Sequence, residues 1–178
     1  MKNLKKTILI FLLAFPAFSA CELLNDLRVD FDTKFFIIDF IMNEDEETGE
    51  KTFVVEVIKS EIDSILEAHD ISRDNLKEVH PKEVIIEINN DGTDYDFDPV
   101  SSFSAEISAD ELDEILIANL DPVPGNVKSV SLDVEDTEIK EYLLKEFYTV
   151  TIKGVTTAPI ENRLHVTAKI KFTMKGGL

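Results

Sequence analysis

The chain has one cysteine, no tryptophan, and half as many basic residues as acidic ones, 18 against 36 in 178. A single thiol excludes a disulfide framework within the chain and any cysteine-based zinc finger. The net charge of −18 sets the chain against nucleic acid, whose phosphate backbone repels it. Glycine is scarce. Gly49, Gly92, Gly125, Gly154, Gly176 and Gly177 are all there are, and none belongs to a phosphate-cradling loop. There is no G-x-S-x-G elbow for a nucleophilic serine. The histidines His69, His80 and His165 share no metal-ligand spacing. Beyond the N-terminus no apolar run approaches the ~20 residues needed to span a bilayer. What is present still describes a folded protein. The chain is 44% hydrophobic, too much for a disordered polyanion, and its length suits one domain.

The one long apolar run belongs to an address. Lys2, Lys5 and Lys6 make a charged start. Ile8 to Phe15 is apolar, and Pro16, Ser19 and Ala20 lead to a small-residue end. This is the layout of a secretory signal over residues 1–20, too short to span as a helix. The lone cysteine, Cys21, follows directly.

Phe18-Ser19-Ala20-Cys21 resembles the lipobox of bacterial lipoproteins. Ser19, Ala20 and Cys21 match the motif, and Phe18 stands where the family usually has Leu, Val or Ile. The resemblance implies lipidation of the Cys21 thiol, cleavage before it and acylation of the new amine. Several acyl chains on one residue anchor stably where a single chain is marginal. The competing reading is ordinary cleavage after Ser19, which leaves a free thiol. Glu22, not Asp, follows the cysteine. The resemblance therefore implies the outer membrane, with the protein periplasmic or surface-exposed. Glu22 and Asp26 also resemble the surface-export signals of some Bacteroidota lipoproteins. Residues 21–27 read as the lipidated tether, and 28–175 as a single β-rich domain. Without residues 1–20 the chain keeps 15 basic and 36 acidic residues, a net charge of −21.

Alternation dominates the body. Leu164, Val166, Ala168, Ile170, Phe172 and Met174 share one face of a strand, with His165, Thr167, Lys169 and Lys171 on the other. Val130, Leu132 and Val134 read as inward in the same way. So do Phe53, Val55 and Val57, and Phe103, Ala105 and Ile107. The run Val84 to Ile88 is apolar enough to be central. Val29 to Met42 turns apolar on both faces from Phe35, as a strand bent from one sheet to another would. Asn90-Asp91-Gly92 is a hairpin signal, and Ala158-Pro159 falls in a final hairpin loop.

Three segments carry helical spacing: Ser60 to Leu66, Asp110 to Ala118, and Glu138 to Leu144. Ser60 reads as an N-cap, and Ser108 with Glu111 as a capping box. The first two segments align at an offset of 50, which reads either as a degenerate duplication or as two similar amphipathic helices. All three read as connectors that cover sheet edges.

Together these elements predict an antiparallel β-sandwich, immunoglobulin-like, of about seven strands with two or three short connecting helices. The rival is an α+β sheet with helices on one face. Lipobox plus acidic β-rich body resembles the small Bacteroidota lipoproteins to which no function is assigned. That likeness implies a fold and an address, and no activity.

Two candidate sites stand out. Asp91, Asp94, Asp96 and Asp98 crowd one loop, and Asp94-x-Asp96-x-Asp98 opens like a calcium loop. Pro99 and Ala105 then occupy the positions where an EF-hand needs Gly and Glu. A looser calcium site is the remaining reading, against a plain solvated loop. Arg163, Lys169 and Lys171 form a basic stripe. From Phe147 onward the net charge is +4, on a body of −25. The stripe reads either as partner to neighbouring acids or as a docking face for an anionic partner. No catalytic constellation is present, and no cofactor is implied beyond that calcium. The functional expectation is a non-catalytic binding or structural module of the cell envelope, lipid-anchored, with an envelope protein or glycan as partner. The alternatives are a carboxylate-dependent hydrolase and a carrier of an apolar ligand between the sheets.

Overall fold

The computed structural model describes residues 28–91 and 95–177. Cys21, the signal at 1–20 and the tether at 21–27 lie outside the described residues. Nine strands carry the fold: β1 (Arg28–Asp32), β2 (Phe36–Met42), β3 (Gly49–Lys59), β4 (Leu76–Ile88), β5 (Val100–Ala109), β6 (Leu112–Leu120), β7 (Ser129–Val134), β8 (Phe147–Thr156) and β9 (Leu164–Gly177). Among the described residues two short α-helices join them, α1 (Ile62–Glu67) and α2 (Lys140–Leu143).

Every strand pairing is antiparallel, in the order β1-β9-β4-β7-β6-β5-β8-β3, with β2 also on β9. The β6–β7 join is narrow, Ala118 opposite Val134 and Asn119 opposite Asp133. The sheet curls there into two halves that share one core. The fold is mainly β and sandwich-like, as the alternation predicts, with nine strands in place of about seven.

The core follows from period-2 patterning. On β9, Leu164, Val166, Ala168, Ile170, Phe172 and Met174 are buried, while Lys169, Lys171 and Lys175 alternate with them and stay partly exposed. Each fully buried large apolar side chain contributes about 1.5–3 kcal/mol. β4 is central, between β9 and β7, with Val79, Val84 and Ile86 fully buried. It starts at Leu76, earlier than Val84, and carries Pro81 inside a central strand. The β4–β9 register shifts between Pro81 and Glu83, and a bulge is where a central strand tolerates the missing N–H. Aromatic rings fill the other half: Phe97 meets Phe103 edge-on at 5.1 Å and Phe53 lies 5.8 Å from Phe103.

Several expectations change. Val29 to Met42 is not one strand bent between sheets. It breaks at residues 33–35 into β1 and β2, which follow one another along the same strand, β9. Thr33 holds the break, donating its N–H to the Phe172 carbonyl and accepting the Phe172 N–H on its hydroxyl.

Asp110 to Ala118 is not a helix. Asp110 and Glu111 turn the chain between β5 and β6, with Glu111 at φ 62°. The run Ile115 to Ala118 suits both periods, and pairing with β5 decides for the strand. One member of the supposed repeat is helical and the other extended, so the duplication reading falls.

Val55 and Val57 point outward. The β3–β8 register shifts between Thr52 and Val54, and one extra residue reverses every side chain beyond it. Nor do the last two strands form a hairpin. β8 pairs with β3 and β5, and β9 with β1, β2 and β4. The basic C-terminal segment is therefore split between the two halves. Likewise Asn90 and Asp91 leave β4 for β5, a strand of the other half, so they close no hairpin.

The second helix does not cover a sheet edge. α2 packs against β4, β5 and β8 at one end of the core, burying Tyr142 and Leu143, and α1 buries Ile62 and Leu66. Ser60 accepts the Ile62 N–H at 3.3 Å and donates to the Leu143 carbonyl.

Candidate functional site

The outer face of the β3–β8–β5–β6 half is concave and polar. A cleft of about 720 Å³ opens there, within the size range of small-ligand sites. Ladder register builds its floor. Asn119 on β6 lies opposite Ser104 on β5, Ser104 opposite Lys153 on β8, and Lys153 opposite Thr52 on β3. A row of hydrogen-bonding side chains thus crosses four strands. Ser102, Glu106 and Leu116 flank it.

Both lysines of the cleft are paired with acids. Lys153 donates to Glu106 and to Glu114, the latter at 2.9 Å. Hydrogen bonding to Glu106, then to Glu114, raises the Lys153 pKa. The same ammonium holds Glu114 below its ordinary value. Lys51 is spent on Asp45 at 2.6 Å. A general acid needs a raised pKa, and Glu114 moves the other way. Asn119 donates to Glu135 at 2.8 Å. The cleft offers the hydroxyls of Thr52, Ser102 and Ser104, with the carboxylates of Glu50 and Asp121 toward one end.

The sequence candidates fall elsewhere. Arg163, Lys169 and Lys171 do not share a ligand. Lys169 meets Glu87 at 2.5 Å and Lys171 meets Glu83 at 3.4 Å, both across to β4. Lys175 adds Glu78 at 2.6 Å, lowering the Glu78 pKa by hydrogen bonding. Lys171 also sits 4.0 Å above the Phe35 ring, so Phe35 serves the outer face and not the core. Arg163 precedes β9, exposed, and its carbonyl accepts from Asn90.

Of the four aspartates, Asp94 lies outside the described residues and Asp91 is exposed. Asp96 accepts the Asp98 N–H at 3.0 Å, and Asp98 accepts the Asn126 N–H at 2.5 Å. Among the described residues no three His, Cys, Asp or Glu side chains come together as a metal-binding group. His165 is exposed. His69 bonds the Ile65 carbonyl at 2.9 Å and stacks on Phe31 at 4.1 Å. The aromatic packing of Phe53, Phe97 and Phe103 occupies the space an apolar ligand between the halves would need. The clefts described are open at the surface.

The cleft was not visible in the sequence. Alternation along β5 marks Ser102, Ser104 and Glu106 as outward. Nothing local joins them to Thr52, Asn119 and Lys153, which only the strand pairing brings into one row.

No family model and no curated protein matches this chain. One solved structure, from Desmodium yellow mottle tymovirus, aligns over 86% of this chain and 84% of its own at 9% identity, with a TM-score of 0.25. A likeness that loose carries no argument about function. Among the described residues no helix is long and apolar enough to cross a membrane.

Proposed function

We propose that this chain is a lipid-anchored protein of the bacterial outer membrane, a non-catalytic binding or structural module of the cell envelope. The observation that carries this reading is Phe18-Ser19-Ala20-Cys21 directly behind a charged and then apolar N-terminus. The cleft supports the binding part. Its lysines are already neutralised by acids, so it holds little attraction for an anion. Its hydroxyls and the carboxylates of Glu50 and Asp121 suit an uncharged ligand rich in hydrogen-bond donors, of which an envelope glycan is one. The deciding experiment is Cys21→Ser expressed in a bacterial host. Palmitate incorporation is lost and unprocessed precursor accumulates. Normal processing of the variant would refute the lipoprotein reading.

A further inference from the structure

Three apolar side chains stand exposed together on the outer face of β3 and β8. Val55 is 59% exposed, Val57 63% and Phe147 47%. Val57 lies opposite Thr149 and Lys59 opposite Phe147, so Val57 and Phe147 are diagonal neighbours, with Val55 two residues along. The bulge at Phe53 turns both valines outward, away from the core.

These residues sit at the end of the fold where the N-terminus enters. Arg28 lies opposite Gly177, and Leu76 opposite Gly176. Arg73, just before β4, donates to the Leu144 carbonyl and grips Asp63 of α1. The Ser60 N–H, just after β3, donates to the Glu146 carbonyl. The first residue of β1, the end of β3 and the start of β8 are thereby tied together. The cleft extends the other way, toward Glu50 and Asp121.

We propose that Val55, Val57 and Phe147 form the face that rests on the lipid bilayer, an inference that rests on the lipoprotein reading above. Length selects this occupant. From Cys21 to Arg28 the chain reaches at most about 25 Å, while β9 alone runs for about 45 Å. An anchor so short keeps this end at the membrane and leaves the Glu50 and Asp121 end of the cleft directed away from it. Chemistry agrees. Valines and an aromatic ring suit the boundary between headgroups and acyl chains. Exposed Lys59, opposite Phe147, lies where a cation reaches lipid phosphate. A second copy adding a strand to β3 is disfavoured, because exposed Glu56 stands at an inward position opposite Val150 and blunts that edge.

The absence of tryptophan makes the test clean. Full-length lipidated Phe147→Trp, and separately Val57→Trp, are mixed with phosphatidylcholine vesicles with or without bromine on the acyl chains. Flotation with the vesicles reads the anchor, and quenching by bromine reads the face. Burial by about 5–10 Å into the boundary brings the indole within reach of the bromines, and its emission falls. Ile37→Trp on β2, opposite Lys169 and about 26 Å along β9 from Gly177, stays unquenched. Flotation without quenching of either β3–β8 probe overturns the inference and leaves the lipoprotein reading intact. A blue shift that grows with protein concentration and ignores bromine assigns the face to a second copy and also overturns it. Failure to float overturns both.

Discussion

The ring of Phe53 occupies the space that Gly154 leaves empty. A β-carbon on Gly154 would lie 2.8 Å from Phe53 Cε2 and closer still to the Ser102 carbonyl oxygen. The bulge that makes Phe53 an extra residue on β3 and the missing side chain on β8 are two parts of one fit. Gly154→Ala therefore forces the ring and the β5 backbone apart. Overpacking of this kind costs about 1–3 kcal/mol, read as a lower denaturant midpoint with an unchanged slope. Gly49→Ala is the contrast: it has open space but a φ of 120°, so its cost is backbone strain alone.

Neighbours on β9 separate core from surface. Phe172 is 1% exposed, and Phe172→Ala costs about 3–5 kcal/mol. Lys171→Ala removes a partly exposed ion pair with Glu83 and the contact with Phe35, and costs about 1 kcal/mol or less. Equal losses in chemical denaturation would contradict the alternation.

Val57→Ser changes stability by no more than about 0.5 kcal/mol, because the side chain is already in water. Val54→Ser, one register row from the bulge and packed on the core, costs more. A reversed ranking in thermal melts would mean that the bulge is misplaced.

The pH dependence follows from the ion pairs. Lys153 depresses the Glu114 pKa from its ordinary 4.5, and Lys82 depresses Asp32 from 3.8. A carboxylate depressed on folding contributes stability that is whole above its unfolded pKa and is lost as pH falls through its folded one. These contributions are intact at neutral pH and disappear below about pH 4. Lys153 is raised from 10.5, so its contribution is whole below that value and is lost above it. Glu114→Gln should melt below the wild type by a constant margin from about pH 6 to about pH 9, closing near pH 2. A margin that survives in acid would sink the assignment. The pairs are partly exposed, so the margin is small.

Much of the fold was legible where a segment faces one environment along its whole length. β9, β5 and the core of β4 read directly as alternating strands, because one side meets the core and the other meets water. Reading failed where two periods fit one string, as in Asp110 to Ala118, and where one extra residue reversed the faces, as at Phe53. The basic stripe was legible as composition. Its role was not, because Glu83 and Glu87 lie some eighty residues away in the chain and meet Lys171 and Lys169 only through the β4–β9 ladder.

The sequence by itself determined an acidic, mainly β chain and the signal-like N-terminus that ends at Cys21. Both are written in local order: charge, alternation and one four-residue motif. Only the tertiary structure decided which half each strand joins, that the C-terminal lysines are paired, and that Thr52, Ser104, Asn119 and Lys153 line one cleft. The physical reason is that register between strands far apart in the chain is set by the shared core, and no local pattern records it.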